Sequence, residues 1–274
     1  MIRLLVSDLD GTLLTDEKKV SKNDQIALKK LVDAGINICL ATGRNKGEVE
    51  QVMQGIGLRY HQVNQNGAQV YTEKEQMLHS SQFSSQNAMN LYHLIESFDL
   101  PIHVIIDAFL ASSKSEVKRV IPMEQKSYFQ YEDDALFKHL DHLDKKIGGE
   151  VLPIKFSYFG KVSMLRFLEE EVHKRFPNQF TSFLVDKNCL DFMPLHVNKG
   201  TGLQFLLDHL DVSPNEVVCI GDSENDISMF DLIPHSFAMK TASSHVQSKA
   251  SRTAASVAEA AEWLLNSRKS AIQL

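Results

Sequence analysis

Cysteine and long apolar runs are both scarce in this chain, and each scarcity removes a class of protein. The three cysteines, Cys39, Cys189 and Cys219, are an odd number without paired spacing, which gives neither a disulfide framework nor a zinc signature. Cys39 and Cys219 sit inside apolar runs and read as small core residues. The apolar run that follows Met1 is too short for a secretory signal or a membrane span. A reducing, cytoplasmic setting is the expectation. A basic excess is also missing: 29 Lys and Arg stand against 35 Asp and Glu, for a net charge of −6. That balance argues against a nucleic-acid partner, which would call for a basic stripe. There is no internal repeat and no low-complexity tract. Nothing calls for a particular oligomer, so a monomer is the starting expectation.

What is present suffices for two modest domains, with 274 residues of which 43% are hydrophobic. Ile2 to Val6 is a short apolar run, the pattern of a strand buried on both faces. Ser21 to Ala34 has helical spacing, with Ser21 as cap and Gly35 after its end. Ile36 to Ala41 reads as a second strand, so strand, helix and strand form a βαβ unit with parallel strands. Asn45 to Gln54 is the next helix, and His61 to Asn64 a short strand closed by the turn dipeptide Asn66-Gly67.

The texture changes between Ser80 and Lys187. Helices are expected at Ser84 to Phe98, Tyr131 to Ile147 and Lys161 to Phe176. Strands are expected at Pro101 to Leu110 and Pro153 to Phe159, with a hairpin at Phe180 to Val185 and Leu190 to Met193. From Asn198 the βα pattern returns: a helix to His209, a strand at Val217 to Ile220, a helix from Ser223 to Leu232, and an amphipathic helix at Ser256 to Leu265 in which Trp263 packs. The fold class is therefore α/β. A doubly wound parallel-sheet core, residues 1–80 and 190–274, carries an inserted α+β domain, residues 81–189.

Three apolar runs end in polar residues of one kind. Ile2–Val6 leads to Asp8 and Asp10, Ile36–Ala41 to Thr42-Gly43-Arg44, and Val217–Ile220 to Gly221-Asp222. Neighbouring parallel strands would bring these ends to one edge, where open α/β sheets bind ligands. Paired carboxylates are costly to bury without a cation. Oxygen-only ligands favour a hard cation, magnesium before zinc. An EF-hand needs glycine at its sixth loop position, where this chain has Leu13 and Ile227. A cation beside Asp8 points to a phosphate ester. Lys199 at a helix start, Thr42, Asn225 and the backbone N–H groups of Leu9 and Gly43 can serve its oxygens.

The segments Asp8-Leu9-Asp10-Gly11-Thr12-Leu13, Ala41-Thr42-Gly43-Arg44, Asn198-Lys199-Gly200 and Gly221-Asp222-Ser223-Glu224-Asn225-Asp226 resemble the four ordered motifs of the haloacid dehalogenase superfamily. The long insertion after the second motif, with Asn66-Gly67-Ala68 before it, resembles the Cof-type (subfamily IIB-like) branch of capped phosphatases. The resemblance implies a magnesium-dependent phosphatase acting on a small phosphorylated metabolite through an aspartyl-phosphate. It makes Asp8 the nucleophile and Asp10 the acid and base. It makes Asp8, Asp222, Asp226 and the Asp10 carbonyl the metal ligands. Thr42, Lys199 and Asn225 would grip the phosphoryl group, with Arg44 facing the substrate or the cap. The cap would close over the substrate and choose the leaving group.

Departures lie toward the C-terminus, where Ala238-Met239-Lys240-Thr241-Ala242 carries a lysine at a position that is often glycine in the family. His196 is a pocket-lining candidate through its nearness to Lys199. His139 and His142 read as the solvated face of a helix, and the methionines as core filler. Two rival functions share the motifs: a phosphomutase with the same nucleophile, and a non-catalytic sensor of a phosphorylated ligand. A dehalogenase fits less well, because Asp10 and the acidic fourth motif suit a metal and a phosphate.

Overall fold

The computed structural model describes residues 1–96, 103–112, 117–122, 137–186 and 188–272. In chain order the elements begin with β1 (Leu4–Ser7), α1 (Lys22–Asp33), β2 (Asn37–Ala41), α2 (Lys46–Met53), β3 (His61–Asn64), β4 (Gln69–Tyr71) and β5 (Met77–Ser80). There follow α3 (Ser85–Glu96), β6 (His103–Leu110), β7 (Val117–Pro122), β8 (Phe137–Leu140), β9 (Val151–Phe159), α4 (Val162–Arg175), β10 (Phe180–Asp186) and β11 (Cys189–Pro194). The chain ends with α5 (Lys199–Leu210), β12 (Val217–Gly221), α6 (Ile227–Leu232), β13 (His235–Met239), α7 (Ser244–Gln247), β14 (Arg252–Ala254) and α8 (Val257–Ile272). Two compact units result: Met1–Ser80 with Asn198–Leu274, and Ser81–Val197.

The first unit holds an eight-stranded sheet in the order β14-β13-β12-β1-β2-β3-β4-β5. It is parallel from β14 to β3, and β4 and β5 are added antiparallel. Both faces are covered, which is why its central strands read as unbroken apolar runs. On one face Leu5, Ile38 and Ile220 pack with Leu28, Leu31, Val49 and Leu264. On the other, Leu4, Val6, Cys39 and Cys219 pack with Leu203, Leu206 and Met229. The helices start where the sequence supplies caps: Ser21 accepts from the Asp24 N–H, and Asn45 and Asn198 form capping boxes with Glu48 and Thr201.

The second unit holds a six-stranded sheet, β10-β11-β9-β6-β7-β8, antiparallel except for β7 with β8. The strand at Cys189–Pro194 pairs with β10 and β9 of this unit, so the return to the first unit falls at Asn198 rather than at residue 190. The helix expected over 131–147 is not what forms. Residues 131–136 lie outside the described residues, Phe137–Leu140 is a strand paired with β7, and Leu143–Lys145 is a 3-10 turn. Leu140, Leu143 and Ile147 are still buried; tertiary pairing chose the strand over a period that both structures can satisfy. His139 and His142 accordingly fall on a strand and a left-handed turn, not on one helical face. Ser223 caps a 3-10 turn at Glu224–Asp226, and the α-helix begins only at Ile227. Among the described residues, no helix is long and apolar enough to cross a membrane.

Candidate active site

Register places the site. Ser7 pairs with Ile220 on one side and Leu40 on the other. The residues that follow, Asp8, Gly221-Asp222 and Ala41-Thr42, therefore leave the sheet at one carboxyl edge from three adjacent strands. The turn after β1 is wound by the Leu9 carbonyl, which accepts from the N–H groups of Thr12, Leu13 and Leu14. Leu9 itself buries its side chain in the core. Gly11 has φ +82°, and an added Cβ would lie 2.4 Å from an Asp222 oxygen. Gly221 makes a similar allowance for Asp226, whose carboxylate carbon would be 2.3 Å from a Cβ there. Both glycines let the acidic side chains approach the backbone.

Lys199, at the first turn of α5, is fully buried and donates to Asp8 Oδ1 at 2.6 Å and to Asp226 Oδ1 at 2.7 Å. Among the described residues, Asp8 Oδ2 makes no hydrogen bond. Asp226 Oδ2 accepts from the N–H groups of Asp222 and Ser223, both at 2.9 Å. Asp222 Oδ1 accepts from the Thr12 hydroxyl at 2.8 Å, and its Oδ2 from the Ser223 hydroxyl at 3.0 Å. Thr12 lies within the first motif, which marks its place in the sequence but not its bond to Asp222.

Three carboxylates and one ammonium leave this buried cluster with excess negative charge. Burial pushes the Asp8 carboxyl well above its ordinary value; Lys199 pulls it down, and Asp226 and Asp222 push it up further. Asp222 is likewise raised, by burial first and then by Asp226. Burial works against the Lys199 ammonium, but Asp226 and Asp8 outweigh it and raise its pKa. Asp8, Asp222 and Asp226 each offer an oxygen, all within 4.8 Å of one another. An all-oxygen donor set of this charge fits a hard divalent cation. Asp226 is held by the Lys199 ammonium and two backbone N–H groups, whereas Asp222 accepts only from two hydroxyls, which can turn away, and Asp8 has one oxygen open, so Asp8 and Asp222 are the freer donors.

Asp10 is engaged elsewhere. Arg44 grips it with two bonds, Nε to Oδ2 at 2.6 Å and a terminal nitrogen to Oδ1 at 2.7 Å, and Lys18 adds a third at 2.7 Å. Burial raises this carboxyl, but the hydrogen bonds and charges of Arg44 and Lys18 outweigh it and hold the pKa at about 2. Arg44 thus sits on Asp10, and Lys18, which has a left-handed φ of 57°, joins it without any sequence motif to announce it. The Thr42 hydroxyl is buried and accepts from the Arg44 N–H at 3.2 Å. Gly43 lies against Asn66, and the Asn225 carboxamide donates to Asn66 Oδ1 at 3.0 Å. His196 belongs to the second unit, where its N–H donates to the Thr181 hydroxyl. Lys240 pairs with Glu259 at 3.4 Å on an exposed surface.

A model of the haloacid dehalogenase-like hydrolases matches residues 5–261. The HMP-PP phosphatase of Serratia proteamaculans is 26% identical over 242 residues, which cover 88% of this chain and 85% of that protein. The 5-amino-6-(5-phospho-D-ribitylamino)uracil phosphatase of Bacillus subtilis is 25% identical over 270 residues, covering 90% and 91%. A solved sugar phosphatase of subclass IIB superposes with a TM-score of 0.78 at 20% identity, over 96% of this chain and 98% of its own.

Proposed function

The chain belongs to the haloacid dehalogenase-like hydrolases, and from that premise we propose that it is a magnesium-dependent phosphatase of a small phosphorylated metabolite, with Asp8 as nucleophile. The observation that carries the reading is the buried Asp8 carboxylate with Lys199 on one oxygen and Asp222 and Asp226 beside it. Asp8 and Asp222 would hold the metal, with the Asp10 carbonyl, and Asp226 would stand behind Lys199 and the Asp222 backbone. Bound magnesium neutralises charge on the phosphoryl oxygens.

An Asp8 oxygen attacks phosphorus, and the bond to the leaving oxygen breaks. This divides one hard hydrolysis into two easier displacements. Lys199, Thr42, Asn225 and the Gly43 and Leu9 amides hold the phosphoryl oxygens. Asp10 protonates the leaving oxygen and then takes a proton from the water that attacks the aspartyl-phosphate, which frees phosphate and restores Asp8. Held by Arg44 and Lys18, Asp10 is a carboxylate suited to the second task. For the first it has to take up a proton and part from Arg44. Residues 81–197, inserted between the two halves of the catalytic unit, are assigned the choice of leaving group. The three cysteines are buried and free, which suits the reducing cytoplasm.

The test is hydrolysis of p-nitrophenyl phosphate with magnesium, compared with Asp8→Asn. Turnover that needs both magnesium and Asp8 supports the reading. Substantial turnover in the variant removes Asp8 from the nucleophile role. Release of inorganic phosphate without isomerisation of a sugar phosphate excludes a mutase.

A further inference from the structure

Gln65, Asn66 and Gly67 form a buried 3-10 turn between β3 and β4, all three with left-handed φ values of 51°, 52° and 99°. Two consecutive non-glycine residues in that region are costly, and such strain persists where the surroundings over-determine it. Here they do. The Asn66 N–H donates to the Thr42 carbonyl and the Gln65 N–H to the Arg44 carbonyl, both at 3.0 Å. Asn66 Oδ1 accepts from Asn225 Nδ2 at 3.0 Å. Gly67 packs so closely on the start of α5 that a Cβ would stand 2.0 Å from the Asn198 carbonyl oxygen and 3.2 Å from the Lys199 backbone nitrogen. From the other side, a Cβ on Gly202 would reach the Gly67 Cα at 2.6 Å. One tripeptide therefore touches three segments from distant parts of the sequence: those of Thr42, Lys199 and Asn225.

We propose that Asn66 is a positioning residue that orients the Asn225 carboxamide for the phosphoryl group, with the turn that carries it setting the spacing of Thr42, Lys199 and Asn225. The assignment rests on the phosphatase reading above. Its chemistry is that of a primary amide. Nδ2 carries two N–H bonds; Asn66 Oδ1 takes one and fixes the plane of the carboxamide, and the second stays available to an anionic oxygen. Without Asn66 the carboxamide is free to rotate, and the second N–H loses its aim. Left-handed backbone also explains the residue type, since asparagine tolerates it better than other residues with a side-chain acceptor at this distance.

The test is Asn66→Gly, which accepts the left-handed φ and removes only the side chain. Asn225→Ala and the double variant complete a cycle. The readouts are kcat and KM for p-nitrophenyl phosphate with magnesium, and the affinity of inorganic phosphate by calorimetry, which needs no turnover. We expect N66G to raise KM and the phosphate Kd about tenfold, the worth of one charge-assisted hydrogen bond, with the double variant no worse than N225A. Unchanged KM and Kd in N66G, or losses that multiply in the double variant, overturn the assignment of Asn66 while leaving the enzyme reading intact. A wild-type protein that neither hydrolyses the ester nor binds phosphate overturns the reading beneath it instead.

Discussion

Replacing Lys199 with methionine removes one ammonium from a buried position. The side chain is 1% exposed, and its nitrogen serves Asp8 at 2.6 Å and Asp226 at 2.7 Å. Methionine keeps the length and the apolar stem and makes neither bond. Asp8, Asp222 and Asp226 then face one another without a counter-charge. Removing one partner from a buried ion pair costs about 3–5 kcal/mol, most of it the penalty on the charge left behind. At roughly 2–4 °C per kcal/mol for a unit of this size, melting should fall by about 6–20 °C. Trp263 is the sole tryptophan, and it packs against Phe237 at 5.4 Å in the first unit. Its fluorescence therefore reports on the unit that carries the change. The assay is a urea titration in a chelator, wild type against Lys199→Met. A loss under about 1 kcal/mol, the range of an exposed pair, would refute the claim that this ammonium is what lets the carboxylates be buried together.

Asp8→Asn should lower kcat by a factor on the order of 10⁴ or more, as loss of a covalent nucleophile does, while the protein stays folded by circular dichroism. Magnesium at a hundredfold excess over its Kd should stabilise the wild type by about 2.7 kcal/mol, a gain that Asp222→Asn should largely lose in the same Trp263 titration. Gly221→Ala sets a Cβ 2.3 Å from the Asp226 carboxylate carbon, so it should cost about 1–3 kcal/mol through overpacking and weaken magnesium binding by calorimetry. In the second unit, burial raises Asp107, but Arg119 and Lys155 outweigh it and hold the carboxyl below its ordinary value. A lowered folded-state pKa gives stability that is full above the unfolded value and is lost as pH falls through the folded one. Acid titration should therefore destabilise the wild type below about pH 4 more steeply than Asp107→Asn, by far-ultraviolet circular dichroism.

The sheet and the site were legible in the sequence for one reason. Strands buried on both faces leave unbroken apolar runs, and the polar residues that end them mark a shared edge. That placed Asp8, Thr42 and Asp222 together without any distance. Lys199 was reached through its helix start and its motif. The short antiparallel strands β4 and β5 leave no mark in the sequence, because three or four residues beside a turn carry little period. Over 137–147, buried leucines fit helix and strand alike, and only pairing with β7 decided between them. The links between motifs were beyond reach, because they depend on side-chain direction. Arg44 turns to Asp10 together with Lys18, and Asn66 meets Asn225 through a left-handed turn that a sequence shows only as Asn-Gly.

The most direct measurement is chemical capture of the covalent enzyme. Enzyme turning over a phosphate ester with magnesium is quenched and treated with borohydride, which reduces an aspartyl-phosphate to homoserine. Peptide mass spectrometry then locates the change. The account predicts homoserine at position 8 and nowhere else, dependent on substrate and magnesium. Steady release of phosphate with position 8 always recovered as aspartate, or reduction at another carboxylate, would contradict it.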